Sequence, residues 1–153
     1  MVFDFVDESV DKEQMAKTLN NVAVEYFKLG LKEVSFQIWD GLYHAMKNSL
    51  ADCKGLMPVI SYNLGYILRQ NSYYDKAYVV CRQGIRCCFD TNTISAMPEL
   101  ILQIAVLSME LGNIQKAKYI FALGRDVFEW SRHTYMNCSL EEMMQQNFLM
   151  YYE

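Results

Sequence analysis

The stretch MPVISYNLGYIL, residues 57–68, recurs in similar form as MPELILQIAVLS, residues 97–108. This repetition is the main evidence for the fold. Pro98 lies at the same place in the second stretch as Pro58 in the first. At the same offset, small residues fall on small ones and bulky residues on bulky ones: Asn63 over Gln103, Gly65 over Ala105, Ala77 over Ala117, Cys81 over Phe121 and Gly84 over Gly124. A period of this size indicates stacked helix pairs, each of which buries its apolar face against its neighbours.

A less regular copy precedes these two, at a slightly longer offset. It places small or polar residues of the first unit over those of the second: Asn21 over Asn63, Ala23 over Gly65, Ser35 over Ala77 and Trp39 over Cys81. We therefore predict three repeats, over about residues 14–52, 56–92 and 95–132, within a single domain that covers residues 1–153.

Composition favours an all-α protein. Hydrophobic residues make up 52% of the chain, while only 2 prolines and 7 glycines interrupt it. The net charge of -4 disfavours direct nucleic-acid contact. Residues 1–13 are acidic where a signal peptide would be basic and then apolar, and no apolar run is long enough for a membrane span. We expect a cytoplasmic protein.

Apolar spacing and turn residues predict where the helices begin and end. The first helix should run from about Asp11 to Leu29, with Ala16, Leu19, Val22, Ala23 and Tyr26 on its buried face. Gly30 should end that helix, and Asn71-Ser72 and Leu111-Gly112-Asn113 should form the later turns. The second helix should fade near residues 51–55, and each proline should lie in the first turn of a helix.

A last helix is predicted over residues 139–152. Ser139 and Glu142 form a capping-box pattern, and an apolar stripe follows them. The count is then about seven helices, arranged as a right-handed α-solenoid of helix hairpins. The last helix would cap the final hairpin, or alternatively form a dimer contact.

The placed residues resemble tetratricopeptide repeats. That family pairs a large and a small apolar residue in the first helix of a repeat, has glycine at the turn, and places small residues in the second helix. Ile104-Ala105, Gly112, Ala117 and Gly124 meet this pattern. The period of this chain is longer than the standard repeat of that family, which is a departure from the pattern.

The longer period, with Met97-Pro98-Glu99-Leu100 and the run from Glu110 to Lys118, resembles the C-terminal domains of Gram-positive Xre-type helix-turn-helix transcriptional regulators of the peptide-sensing type. The resemblance implies a sensor and homodimerisation domain that binds a short peptide or protein segment in its concave groove. This chain shows no DNA-binding domain, which suggests an excised domain or a stand-alone relative; DNA would be contacted only through a separate helix-turn-helix domain. The alternative is a stand-alone adaptor for protein–protein interaction.

Three amides are the first candidates for peptide binding, because Asn21, Asn63 and Gln103 occupy equivalent positions in the repeats. An amide can donate to and accept from a peptide backbone, and the resembling peptide sensors use asparagine in this way. The other interpretation is that these amides are solvated or bonded within their turns. Further candidates for the groove add charge, stacking and hydrogen bonds: Lys17, Asn20, Tyr62, Tyr66 and Arg69.

Nothing in the sequence indicates catalysis, a metal or a cofactor. No phosphate-binding loop, nucleophile elbow or His-Glu-x-x-His motif occurs. The 5 cysteines form no Cys-x-x-Cys pair, so we interpret Cys81 and Cys88 as small hydrophobic residues. Redox sensing through the adjacent Cys87 and Cys88 remains the alternative for these thiols.

Overall fold

The computed structural model describes residues 11–48, 51–93 and 96–127, together with residues 149, 150 and 152. These residues contain six α-helices, one 3₁₀ helix over Ala51–Leu56, and no strand, which confirms the all-α prediction. The α-helices are α1 Lys12–Lys28, α2 Lys32–Lys47, α3 Met57–Gln70, α4 Tyr74–Asp90, α5 Met97–Glu110 and α6 Ile114–Val127. None of them is both long and apolar enough to cross a bilayer.

Local signals account for where the helices start. The Asp11 side chain caps α1 by accepting from the backbone N–H of Gln14 at 3.1 Å. Pro58 and Pro98 lie in the first turns of α3 and α5, as predicted, where a missing N–H leaves no helical bond unmade. One boundary was predicted wrongly, since α2 ends at Lys47 and residues 51–56 form a separate 3₁₀ helix.

The first helix of each pair ends in the same way. Gly30, Ser72 and Gly112 all adopt the left-handed conformation, with φ of 86°, 64° and 83°. The residue after each of them donates its N–H to the carbonyl five positions earlier, at 2.9, 2.9 and 2.8 Å, which is the Schellman helix end. The two intervals between these three ends equal the two offsets that the sequence repeat predicts.

Each helix packs against the next along the chain, and α3 also contacts α5. Glycines permit the closest approaches. A Cβ on Gly65 would lie 2.5 Å from the Cys81 sulfur, and one on Gly84 would lie 2.7 Å from the Ser61 Cβ and 3.1 Å from a Leu100 methyl. Gly84 therefore lies where α3, α4 and α5 meet.

The buried face of α1 differs from the prediction. Ala16 and Ala23 are buried as expected, but Val22 and Tyr26 are 37% and 36% exposed. The core instead takes residues on the adjacent side of the helix: Asn20, Val24 and Phe27. Sequence periodicity missed this rotation of α1 because it counts an asparagine as a surface residue, whereas Asn20 has all its polar atoms paired inside the protein.

The prediction of a helix over residues 139–152 is wrong at its end. Leu149, Met150 and Tyr152 belong to no helix, and they pack against the core. Residues 139–148 and 151 of that predicted helix lie outside the described part of the chain.

Candidate functional site

Three asparagines from two helices meet the backbone of Met150 and Tyr152. Asn20 and Asn21 lie on α1 and Asn63 lies on α3. Five hydrogen bonds of 2.7 to 3.0 Å connect these amides to the two residues. We call this set of three asparagines the amide clamp.

Asn63 pairs with both polar groups of Met150. Its Nδ2 donates to the Met150 carbonyl at 2.9 Å, and its Oδ1 accepts from the Met150 N–H at 2.9 Å. A residue presents its N–H and C=O to one side in this way when its backbone is extended, as in a strand that pairs with its neighbour. The Asn63 amide thus makes the two hydrogen bonds that a neighbouring strand would make to Met150.

Asn21 does the same for Tyr152, two residues further on. It donates to the Tyr152 carbonyl at 2.7 Å and accepts from the Tyr152 N–H at 2.8 Å. Alternate residues of an extended chain face the same side, so two amides on two helices can hold one segment in register.

Asn20 joins the two amides to the core. It is fully buried. Its nitrogen donates to the Met150 carbonyl at 3.0 Å and to the Asn21 oxygen at 3.2 Å; its oxygen accepts from the Trp39 indole at 2.9 Å and from Asn63 at 2.8 Å. Four bonds use the full capacity of an amide, so the buried asparagine is fully satisfied.

The Tyr152 side chain makes a further contact outside the amide clamp. Its hydroxyl donates to the main-chain carbonyl of Leu56, the last residue of the 3₁₀ helix. Burial, and secondarily the charge of Glu13, raises the pKa of this phenol well above its usual value. The hydroxyl is therefore a hydrogen-bond donor throughout the physiological pH range.

Gln103 lies in a different network, although the repeat places it over Asn63. It donates to the Tyr62 carbonyl at 3.1 Å and accepts from the Arg69 Nε at 3.2 Å. The structure therefore brings together two of the three amides predicted from the repeat, along with Asn20, and places the third in the contact between α3 and α5.

Of the other predicted groove residues, Tyr62, Tyr66 and Arg69 lie together around Gln103, and only Lys17 lies apart on α1. Tyr62 and Tyr66 are 5% and 1% exposed. Burial raises the pKa of both phenols, with a nearby Glu99 adding to the effect at Tyr62. Arg69 lies over the Tyr66 ring, 5.3 Å from its centroid, and Lys17 pairs with Glu13 at 3.5 Å.

The cysteines of α4 have the character of core residues. Cys81, Cys87 and Cys88 are at most 1% exposed. Burial raises the pKa of Cys81 to about 12 and that of Cys88 to about 11, and it also raises the pKa of Cys87. A thiol reacts as its thiolate, so burial and raised pKa values both oppose redox chemistry at the pair formed by Cys87 and Cys88.

Away from the amide clamp, a concavity of about 880 Å³ lies between α2 and α4, and Leu64 and Leu68 of α3 also line it. Its walls combine apolar residues such as Phe36 and Val80 with both signs of charge, including Lys47 and Asp75. None of the predicted binding residues lines it. Sequence reasoning missed this concavity because no motif marks its residues, which belong to different repeats.

Within the described ranges, no group of three or more histidine, cysteine or acidic side chains is arranged to hold a metal ion. Comparisons of the chain with protein-family models, with curated proteins and with solved structures found no match. The arrangement of the amide clamp therefore carries the functional argument.

Proposed function

We propose that this chain is a peptide-binding sensor domain whose amide clamp holds an extended peptide or protein segment by its backbone. The observation that carries the proposal is the paired bonding of Asn63 and Asn21 to the backbone N–H and C=O of Met150 and Tyr152, two positions apart. Such bonds are indifferent to side chains, so they suit a groove that accepts a segment from elsewhere.

The architecture that we propose for this function is a right-handed solenoid of three tetratricopeptide-like hairpins. Three equal helix ends at the predicted spacings support it, as do buried small residues at matching positions of α4 and α6: Ala77, Gly84, Ala117 and Gly124. In a solenoid, each repeat contacts mainly its neighbours, so a ligand that bridges α1 and α3 would bias the curvature of the array.

The biological setting that we propose is a bacterial transcriptional regulator in which this domain also mediates homodimerisation. Support comes from the resemblance of residues 97–118 to such regulators. The net charge of -4 agrees with a domain that leaves DNA contact to another module. Binding would act by shifting populations between two curvatures of the array.

A thermal-shift screen of short peptides, followed by calorimetry, tests the binding proposal. A ligand at 100 times its Kd stabilises the folded state by about 2.7 kcal/mol. For a chain of this size, that corresponds to about 5–10 °C in Tm. In ¹⁵N-labelled protein, a peptide held by the amide clamp should shift the side-chain amide resonances of Asn21 and Asn63, because these amides would bond to its backbone.

The Gln37 side-chain amide is the internal control, because it is exposed on α2 and bonds to Glu33 of its own helix. We expect its resonance to stay in place. Unchanged side-chain resonances of Asn21 and Asn63 at saturation with every ligand found would refute the amide clamp as a binding site.

The concavity between α2 and α4 favours a second candidate, a stand-alone adaptor that holds a protein partner without changing shape. Small-angle scattering separates the two candidates. A sensor should change its radius of gyration when a peptide saturates the groove, whereas an adaptor should keep the same value.

A further inference from the structure

Met150 and Tyr152 make side-chain contacts in addition to their backbone bonds with the amide clamp. The amide clamp is indifferent to side chains, but the Tyr152 hydroxyl donates to the Leu56 carbonyl, a bond that a purely apolar side chain could not make. Met150, two positions earlier, packs against the core beside Leu149. The contacts thus include an apolar side chain and a tyrosine hydroxyl two positions apart.

The surroundings of the Tyr152 hydroxyl select for a neutral donor. Leu56 is 5% exposed, so its carbonyl lies in a region shielded from water. Glu13 adds negative charge near the phenol. A phosphorylated tyrosine would bring about two further negative charges against a carboxylate and a carbonyl oxygen, and phenylalanine would leave the carbonyl without this donor.

We propose that the groove selects an extended segment in which tyrosine follows an apolar residue two positions later, and that the segment carrying Met150 and Tyr152 is the protein's built-in ligand. This proposal rests on the proposed function and adds the class of ligand and its regulation. An incoming peptide of the same pattern competes with the built-in segment for the amide clamp and for the Leu56 carbonyl.

Tethering makes the competition strong. A segment that belongs to the same chain as its binding site can have an effective concentration of the order of millimolar. The apparent affinity for an external peptide falls in proportion to the fraction of molecules whose groove is open. Weakening the built-in segment should therefore tighten the binding of an external peptide.

The test is fluorescence polarisation with the full chain and a fluorescein-labelled hexapeptide that has the sequence of residues 147–152, NFLMYY. Two further labelled hexapeptides carry phenylalanine or phosphotyrosine in place of the final tyrosine. We expect the tyrosine peptide to bind about threefold to tenfold more tightly than the phenylalanine peptide, the value of one hydrogen bond. The phosphotyrosine peptide should bind more weakly than both.

The protein variants are Tyr152→Phe and, as a matched control, Tyr119→Phe, since Tyr119 is 68% exposed on α6. Tyr152→Phe should bind the tyrosine peptide about threefold to tenfold more tightly than the wild type, whereas Tyr119→Phe should leave the affinity unchanged. Hydrogen exchange of the Met150 and Tyr152 amides should become faster in Tyr152→Phe alone, and far-UV circular dichroism should show that both variants remain folded.

The outcomes separate this proposal from the proposed function. Equal binding of the tyrosine and phenylalanine peptides, with the Asn21 and Asn63 side-chain resonances shifted by both, would overturn the tyrosine selection and leave a general peptide groove. Absence of binding for all three peptides, in the wild type and in Tyr152→Phe, would overturn both. Protection of the Met150 and Tyr152 amides that depends on protein concentration would show that a second copy supplies the segment, and would overturn the built-in ligand.

Discussion

Replacing Gly84 by alanine tests the close approach of α3, α4 and α5. The new Cβ would lie 2.7 Å from the Ser61 Cβ and 3.1 Å from a Leu100 methyl. Carbon atoms rest at about 3.5–4.0 Å, so the helices must separate by about 1 Å. The nearest atom, the Ser61 Cβ, is attached directly to the backbone of α3, so rotation of a side chain cannot relieve the contact.

Overpacking of this kind destabilises a protein by about 1–3 kcal/mol. Alanine also raises helix propensity, which returns about 1 kcal/mol. Gly41→Ala isolates that second effect, because Gly41 lies within α2 and its Cβ would meet nothing within 4 Å. We expect Gly41→Ala to stabilise the fold by about 0.5–1 kcal/mol, and Gly84→Ala to be about 1–3 kcal/mol less stable than Gly41→Ala.

Urea unfolding followed by circular dichroism measures both free energies, and thermal unfolding should separate the two variants by about 3–10 °C. Gly84→Ala that proves as stable as Gly41→Ala would refute the close helix contact, and with it the physical reason for a small residue at this position in the repeat.

Three further predictions concern the helix ends, the amide clamp and pH. Ser72→Gly should stabilise the fold by about 1 kcal/mol, because Ser72 has a φ of 64° where the equivalent positions are glycine; a lower urea midpoint would contradict this. Asn20→Ala should destabilise by at least about 1–3 kcal/mol in the same assay, since it leaves the buried Trp39 indole without its acceptor; an unchanged midpoint would show that the bond contributes nothing. The folded pKa values of Cys81, about 12, and Cys88, about 11, exceed the unfolded value of 9.0. Stability should therefore be complete below about pH 9 and fall as the pH rises towards 11, and a flat urea midpoint over that range would contradict the assignment.

Much of the helical layout could be predicted because its signals are local. Pro58, Pro98, Gly30 and Gly112 each determine the backbone within one turn of their own position, and the structure has helix boundaries there. The end of α2 was misjudged because nothing of that kind stands near Lys47. The last helix was misjudged at Met150 and Tyr152 because an apolar stripe looks the same whether it covers a core as a helix or packs against it without forming one.

The candidate site was predictable only in part. The alignment of the repeats identified Asn21 and Asn63 as candidate binding residues, and both contact the same segment in the structure. The alignment also identified Gln103, but this residue bonds to Tyr62 where α3 and α5 pack together. Asn20 was expected only as an accessory residue, although the buried indole of Trp39 requires a partner and could have identified it.

The sequence by itself determined most of the helix boundaries, the repeating helix ends and the positions where only small residues fit, because these depend on φ preferences and on volumes at fixed spacing. Only the tertiary structure decided that α1 turns Asn20 inward and that Met150 and Tyr152 lie against α1 and α3. The bonds of the amide clamp to that segment join residues 87 to 131 positions apart. Contacts across such distances in the chain arise from the assembled surfaces, and no local pattern encodes them.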